Sequence, residues 1–256
     1  MNKNSKKALL IGINYKGTSS ALKGCINDVL NVEQYLLQNG YNKSEIRILR
    51  DDYRNPQTRP TAVNIVRSMN WLISGTNKGD SLFFHYSGHG AQVPDRSGDE
   101  IDGMDETIVP CDFQRMGLIS DDMIFRTMIQ PIKEGVKLNC IMDCCHSGTG
   151  LDLPYIFNSN CWKPEGRRKV NVSGDICMIS GCRDNQTSAD DQSKYKAGGA
   201  LTNAFLSVLN KYPSPHFTQL IKEIYSELRR GRFSQIPMLS SSKQFDLNTL
   251  SFNVGL

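Results

Sequence analysis

The sequence predicts an α/β fold, a three-layer α/β/α sandwich with a mainly parallel central sheet. Short apolar runs recur along the chain with little strict alternation, which is typical of strands covered on both faces. Segments with helical spacing lie between these runs, so strands and helices alternate. The predicted strands cover residues 8–13, 46–49, 81–86, 136–142 and 175–180.

Two of the intervening segments predict helices, because their recurring positions lie three or four residues apart. The second follows the helix-start pattern RPTAVN at residues 59–64. The recurring positions are Leu22, Ile26, Val29, Glu33 and Leu36 in the first segment, and Ile65, Met69 and Leu72 in the second.

Composition places the chain among ordinary globular proteins. It has 256 residues, of which 39% are hydrophobic and 22% charged, enough for one large domain. Basic and acidic residues are interspersed along the chain and leave a net charge of only +4, which argues against a nucleic-acid partner. The first apolar run is shorter than the ~20 residues that span a bilayer, and no signal-peptide cleavage pattern follows it, so we expect neither a membrane anchor nor secretion. Eight irregularly spaced cysteines favour thiols in a reducing cytoplasm.

One domain is predicted for residues 8–256, after a polar tail at 1–7. Residues 158–175 are rich in Gly, Pro, Ser, Asn and basic side chains, and we interpret them as an exposed connector. This connector separates a larger part, 8–157, from a smaller part, 176–256.

Reactive side chains follow two of the predicted strands. Because the carboxyl ends of parallel strands meet at one edge of a sheet, we expect the two groups to converge on a crevice. The motif HYSGHG at 85–90 supplies His85 and His89, and the motif DCCHSG at 143–148 supplies Asp143, Cys144, Cys145 and His146.

Zinc binding and nucleophilic catalysis compete as explanations of these groups. Adjacent cysteines do not form the C-x-x-C pattern of zinc sites, and no second Cys/His pair follows at finger-like spacing. A nucleophile needs a base and donors for an oxyanion, and the Gly90 N–H is a candidate donor. The two motifs are separated as in caspase-type signatures, which favours a Cys-His enzyme.

The remaining cysteines fit packing roles better than chemistry. Cys140 lies inside a predicted strand, where a thiol behaves as a small hydrophobic group. The same interpretation applies to Cys25, Cys111, Cys161, Cys177 and Cys182.

Together the two motifs resemble those of the metacaspases, the caspase-like cysteine peptidases of protists, fungi and plants. The similarity continues through KALLIGINY, LKGCINDV, GDEIDGMDETIVPCD and SGCRDNQTSAD, and so covers nearly the whole chain. The resemblance implies a caspase-hemoglobinase-like fold, a monomer, and protein or peptide substrates.

The resemblance also implies the catalytic roles. Cys145 is expected to be the nucleophile and His89 the base, with the N–H groups of Gly90 and Cys145 binding the oxyanion. His85 is then a packed strand residue and His146 a loop residue. No Asp or Asn presents itself as a third member, so we expect a dyad. By its position, Cys144 should point away from the base into packing.

An acidic pocket for Arg or Lys is a further implication. Cys25 and Asp28 lie three apart on one predicted helix face, and carboxylates pair with a guanidinium through charge-assisted hydrogen bonds. Taken alone, Asp28 also fits a helix-start residue and Asp143 a turn former. The positions that match the family's pocket are Cys25, Asp28, Ser87 and Asp143.

The stretch DRSGDEIDGMDE at 95–106 concentrates six carboxylates. A solvated loop is one interpretation, and an EF-hand is excluded because Glu100 stands where the turn requires glycine. The resemblance implies a looser Ca²⁺ site that orders a loop beside the cleft. Its matching positions are Asp105, Asp121 and Asp122, with Asp102 as an extra contributor.

The function that follows is a calcium-dependent cysteine endopeptidase cleaving after Arg or Lys. Two alternatives stay open: a non-proteolytic scaffold in protein quality control, and an Asp-specific caspase-like peptidase. The basic cluster Arg167 to Lys169 is a candidate self-cleavage site, with a solvated charge run as the alternative.

Overall fold

A computed structural model describes residues 4–98, 100, 102–145, 150–158, 160–165, 171–181, 190–191 and 198–254. Within these residues, the chain folds around an eight-stranded sheet, accompanied by a three-stranded and a two-stranded sheet. The strands are β1 (Lys6–Gly12), β2 (Ile46–Arg50), β3 (Ser81–Ser87), β4 (Gly90–Pro94), β5 (Met104–Ile108), β6 (Ile119–Ser120), β7 (Lys137–Asp143), β8 (Tyr155–Asn158), β9 (Cys161–Pro164), β10 (Asp175–Ser180), β11 (Asp190–Asp191), β12 (Gly198–Gly199) and β13 (Met238–Ser241).

The large sheet has the strand order β2-β1-β3-β7-β10-β13-β8-β9. Pairing is parallel from β2 through β10 and antiparallel from β10 to β9. The five predicted apolar runs are these five parallel strands, within two residues at each end. The prediction of a mainly parallel central sheet is therefore confirmed.

Helices cover both faces of the sheet. Along β1, Leu9 and Ile11 pack into the core on the α2 side, while Ala8 and Leu10 pack on the side of α1, α5 and α6. This alternation follows from the two-residue period of a strand, and it produces the predicted three layers. The helices are α1 (Cys25–Gln38), α2 (Ala62–Ile73), α3 (Phe113–Met116), α4 (Asp121–Ile124), α5 (Ala200–Lys211) and α6 (Phe217–Arg230), with a π turn at Phe125–Ile129 and 3₁₀ turns at Lys43–Glu45 and Pro56–Thr58.

The observed start of helix α2 matches the start predicted from the sequence, whereas helix α1 starts later than predicted. The Thr61 hydroxyl accepts a hydrogen bond from the Asn64 N–H at 3.3 Å, as expected for an N-cap. Helix α1 begins at Cys25 after Gly24, so Leu22 lies before the helix.

The first part of the predicted connector at 158–175 forms a short strand at the sheet edge. Residues Cys161–Pro164 pair with β8. The Trp162 ring packs 5.3 Å from the ring of Phe157, and its indole N–H donates to the Phe245 carbonyl at 2.7 Å. These contacts stabilise a strand whose sequence has no apolar run. The basic cluster Arg167 to Lys169 lies outside the described residues.

The three-stranded sheet, β4-β5-β6, follows the histidine motif and carries part of the acidic stretch.

Among the described helices, none combines the length and the apolar character that crossing a membrane requires.

Candidate active site

The two reactive motifs lie side by side at the carboxyl ends of β3 and β7. These strands are parallel neighbours, with Ser87 in register with Asp143. The next residue, Gly88, donates its N–H to the Asp143 carbonyl at 3.5 Å. The fold thus brings together the histidine and cysteine motifs that the sequence separates.

Gly90 lies directly against the backbone of Cys145. A Cβ atom at position 90 would overlap the Cys145 carbonyl oxygen and would lie 3.4 Å from the Cys144 sulfur. Cys145 is half-buried, whereas Cys144 is 1% exposed and belongs to the core. Of the two adjacent thiols, Cys145 is therefore the accessible one.

His89 is oriented by a backbone carbonyl. Its Nε2 lies 2.7 Å from the Ser20 carbonyl oxygen. A carbonyl only accepts, so Nε2 carries the proton, and in the neutral ring Nδ1 is left as the base. The carbonyl holds the ring as a triad carboxylate would, although no side chain in the sequence indicated it.

Two tyrosines clamp the backbone at His89. The His89 N–H donates to the Tyr15 hydroxyl at 3.0 Å, and the Tyr86 hydroxyl donates to the His89 carbonyl at 2.7 Å. Burial raises the pKa of both phenols above their ordinary value, so both keep their protons. Sequence reasoning assigned no role to either residue.

The Gly90 N–H is not used by the β4–β5 ladder. The Val109 N–H donates to the His89 carbonyl at 3.2 Å, which makes Gly90 and Ile108 a non-hydrogen-bonded pair. This leaves the Gly90 N–H, next to Cys145, as a donor for a developing oxyanion.

Asp28 and Asp143 are two buried carboxylates that lie next to Gly199. Asp28 is 0% exposed and Asp143 is 4% exposed. The Ser87 hydroxyl donates to Asp28 Oδ2 at 2.6 Å, and the Gly199 N–H donates to both Asp28 oxygens at 2.9 Å. A Cβ atom on Gly199 would overlap Asp143 Oδ2 and would lie 2.9 Å from Asp28 Oδ2. Two buried carboxyl groups this close supply several acceptor oxygens that a cationic group could pair with.

Cys25 is the first residue of α1, one turn before Asp28, and it is buried. Its N–H donates to the Asn14 side-chain oxygen at 3.0 Å. The structure therefore gathers all four predicted pocket residues around the ends of β3 and β7 and the start of α1.

Three carboxylates come together beside β5. Oxygen atoms of Glu100, Glu106 and Asp121 all lie within 4.8 Å of one another. Burial, followed by repulsion from Asp152, raises the pKa of Glu100 and Asp121 far above the ordinary range. Carboxyl oxygens gathered this closely fit Ca²⁺ chemistry, because a bound cation would favour their charged form.

This cluster overlaps only partly with the predicted calcium residues. Asp121 belongs to it, whereas Asp122 forms an ion pair with Arg126 at 2.6 Å. Asp105 immediately precedes a cluster residue on β5, so its side chain leaves the opposite face of the strand. Asp102 is exposed and accepts the Met104 N–H at 3.0 Å.

Sequence reasoning did not single out Glu100, Glu106 or Asp152. The first two lie in the acidic stretch, but their burial was not visible there. Asp152 follows Cys145 by seven positions with no local pattern around it.

The other cysteines agree with the packing interpretation, with one correction. Cys140 and Cys177 are buried, but Cys161 is exposed on the edge strand β9, so the prediction that it is core is wrong. No described cysteine takes part in a disulfide. His85 is fully buried in β3, as predicted. His146 and Cys182 lie outside the described residues.

A protein-family model described as the metacaspase, peptidase C14 domain matches residues 6–154. Among curated relatives, Metacaspase-1 of Cryptococcus neoformans is 42% identical over 96% of this chain, which spans 64% of that protein's length. Metacaspase-1 of Mycosarcoma maydis is 40% identical, with 96% of this chain and 72% of that protein covered. Metacaspase-1A of Aspergillus fumigatus is 42% identical, with 96% and 70% covered.

Among solved structures, a protein of Geobacter sulfurreducens has the same architecture. The TM-score is 0.70 at 26% sequence identity, and the alignment covers 97% of each chain.

Proposed function

The chain belongs to the metacaspase family of C14 peptidases, and on this basis we propose that it is a calcium-dependent cysteine endopeptidase that cleaves after Arg or Lys. The observation that carries the proposal is the constellation at the sheet edge. An accessible Cys145 lies against Gly90, and His89 is held by a carbonyl. Two buried carboxyl groups lie nearby, Asp143 at the end of β7 and Asp28 in the first turn of α1.

In the proposed reaction, His89 Nδ1 takes the proton of Cys145 Sγ, and the thiolate attacks the scissile carbonyl carbon. The N–H groups of Gly90 and Cys145 stabilise the oxyanion. Collapse of the tetrahedral intermediate breaks the C–N bond, and His89 gives its proton to the departing amine. Water, deprotonated by His89, then hydrolyses the acyl-enzyme and regenerates the thiol.

Asp28 and Asp143 support selection of a basic side chain. Together their carboxyl groups place acceptor oxygens in a buried site, where an arginine guanidinium would be held by charge-assisted hydrogen bonds. The same pair would repel a substrate aspartate, which argues against the Asp-specific alternative.

Glu100, Glu106 and Asp121, with Asp152 beside them, would hold the calcium ion. A bound Ca²⁺ would neutralise carboxylates whose repulsion otherwise opposes a compact arrangement. Glu106 lies on β5, which pairs with the β4 strand that begins at Gly90, so the cluster and the oxyanion donor share one small sheet.

The test is hydrolysis of three fluorogenic peptides that differ only in having Arg, Lys or Asp at the cleavage position, with Ca²⁺ or with excess chelator. We expect cleavage after Arg and Lys only, and only with Ca²⁺. Cys145→Ala should lower kcat by about 10⁴-fold or more. Cys144→Ser, the matched control in the core, should keep the activity within about tenfold.

Cleavage after Asp, or hydrolysis retained by Cys145→Ala, would contradict the proposal. Activity unchanged by chelator would remove calcium from it. Binding of Arg peptides without any hydrolysis would favour the scaffold alternative.

A further inference from the structure

A buried hydrogen-bond chain leads from Asp143 through Thr202 to His85. Thr202 donates both its backbone N–H and its hydroxyl to Asp143 Oδ2, each at 2.8 Å. The hydroxyl oxygen also lies 3.1 Å from His85 Nε2. Thr202 and His85 are both 0% exposed. The mechanism proposed above uses neither residue.

The direction of each hydrogen bond follows from the chemistry of its groups. A carboxylate only accepts, so the single hydroxyl hydrogen of Thr202 points to Asp143. The hydroxyl oxygen must then accept from His85, which places the His85 proton on Nε2. Burial lowers the pKa of His85 to about 3, so the ring stays neutral while it donates.

Donating from Nε2 leaves the other ring nitrogen of His85 unsatisfied in the core. With the proton on Nε2, Nδ1 is a bare acceptor, and it finds no hydrogen-bond partner among the described residues. A buried polar atom left unsatisfied is unfavourable, and an apolar side chain would avoid it. This cost is typical of a residue retained for a site and not for packing.

Capping of α5 explains only part of the arrangement. Thr202 is the third residue of the helix after Gly199, so Asp143 accepts the N–H that an N-cap side chain would accept. A cap needs neither the Thr202 hydroxyl nor the His85 donor. The Thr202 hydroxyl, oriented by His85, gives the same carboxylate oxygen a second hydrogen bond from a fixed direction.

We propose that Thr202 and His85 are positioning residues that fix the plane of the Asp143 carboxylate and thereby favour Arg over Lys in the pocket. A guanidinium is planar and pairs with carboxylates in set directions, so it depends on their orientation. An ammonium is a compact point charge and tolerates a rotated carboxylate. This inference rests on the proposed function.

The test compares Thr202→Val with Thr202→Ser in hydrolysis of the Arg and Lys peptides with Ca²⁺. Valine matches threonine in shape but has no hydroxyl, whereas serine keeps it. We expect Thr202→Val to raise KM for the Arg peptide about tenfold, with a smaller rise for Lys and kcat within about twofold. Thr202→Ser should restore the wild-type ratio of Arg to Lys cleavage.

A second pair of variants tests the far end of the chain of hydrogen bonds. His85→Gln keeps an N–H donor and should behave as wild type, whereas His85→Leu should reproduce Thr202→Val. Thermal melting and the rate of Cys145 alkylation by iodoacetamide check that each variant folds and keeps its thiol.

Equal losses for Arg and Lys, or a Thr202→Ser variant as impaired as Thr202→Val, would show a structural role alone and overturn the inference. A wild-type protein that cleaves after neither residue would overturn the proposed function, and this inference with it. A wild type that cleaves, together with an unchanged KM in Thr202→Val, would overturn only the inference.

Discussion

At Gly90, the absence of a side chain allows two backbone segments to approach. The start of β4 touches the Cys145 carbonyl, in the space that a Cβ atom would occupy. The same residue offers its N–H beside Cys145, the proposed nucleophile. Its backbone therefore sets the distance between the proposed oxyanion donor and the thiol.

Gly90→Ala should separate these two groups. We expect kcat/KM to fall about 100-fold, since a displacement of about 1 Å at reacting groups has that effect, and stability to fall by about 1–3 kcal/mol from overpacking. Gly75→Ala is the control. Its φ of +68° strains an alanine, but a Cβ there meets nothing within 4 Å. Peptide hydrolysis and thermal melting should show stability loss in both and lost activity in Gly90→Ala alone.

The sequence indicated candidate catalytic side chains, but not the groups that hold them in place. His89 and Cys145 lie in dense local motifs, and burial now separates Cys145 from Cys144. The Ser20 carbonyl has no sequence signal, because every residue has a carbonyl. Thr202 is 59 positions from Asp143, so only the fold could identify it.

Among the elements, the small sheet β4-β5-β6 connects the acidic cluster to the catalytic edge. Glu106 faces Gln92 across the β4–β5 ladder, with its carboxylate 3.1 Å from the Gln92 amide. Asp121 accepts the Glu106 N–H at 2.7 Å. Neutralising these carboxylates therefore acts on the strand that begins at Gly90.

Glu100→Gln should stabilise the calcium-depleted protein. Burial and repulsion from Asp152 disfavour the charged form of Glu100 in the folded chain. Glutamine never carries this charge and so avoids the cost, and about 1 kcal/mol corresponds to a melting temperature about 2–4 °C higher. Ca²⁺ should raise the melting temperature of wild type more than that of this variant. Glu134→Gln, the same change at an exposed site, should match wild type in chelator and in Ca²⁺. Identical behaviour of the two variants would count against the cluster as the metal site.

The five parallel strands were predicted from their apolar runs, whereas β9 and β13 were not predicted. The parallel strands are covered on both faces and therefore read as apolar runs. Strand β13 has the sequence MLSS, with Ser240 and Ser241 buried, and β9 lies at the sheet edge. Both pair antiparallel, and neither contains an apolar run that would predict a strand.

On the scale of the molecule, the pocket joins the two parts that the sequence analysis distinguished. Asp28 and Asp143 come from the part before the connector, whereas Gly199 and Thr202 begin helix α5 after it. The sheet is continuous across both parts through the parallel pairing of β7 with β10. The pocket therefore depends on the whole sheet being formed.

His85 makes the free energy of unfolding of the whole domain depend on pH in the acid range. Its pKa is about 3 in the folded chain and 6.5 in its ordinary state. Between these values the unfolded chain binds a proton that the folded chain does not, so the free energy of unfolding falls as pH decreases from 6.5 toward 3. At pH 5 the loss from this one residue is about 2 kcal/mol.

His85→Gln should therefore weaken the loss of stability in acid, because glutamine does not titrate. Urea unfolding at pH 7.5 and pH 5, in a Cys145→Ala background that prevents self-digestion, measures the difference. We expect the free energy of unfolding to fall by about 2 kcal/mol less for His85→Gln than for its parent. His216→Gln removes an exposed histidine and should keep the parent's pH dependence. Equal losses in all three proteins would mean that His85 takes up its proton without unfolding the core.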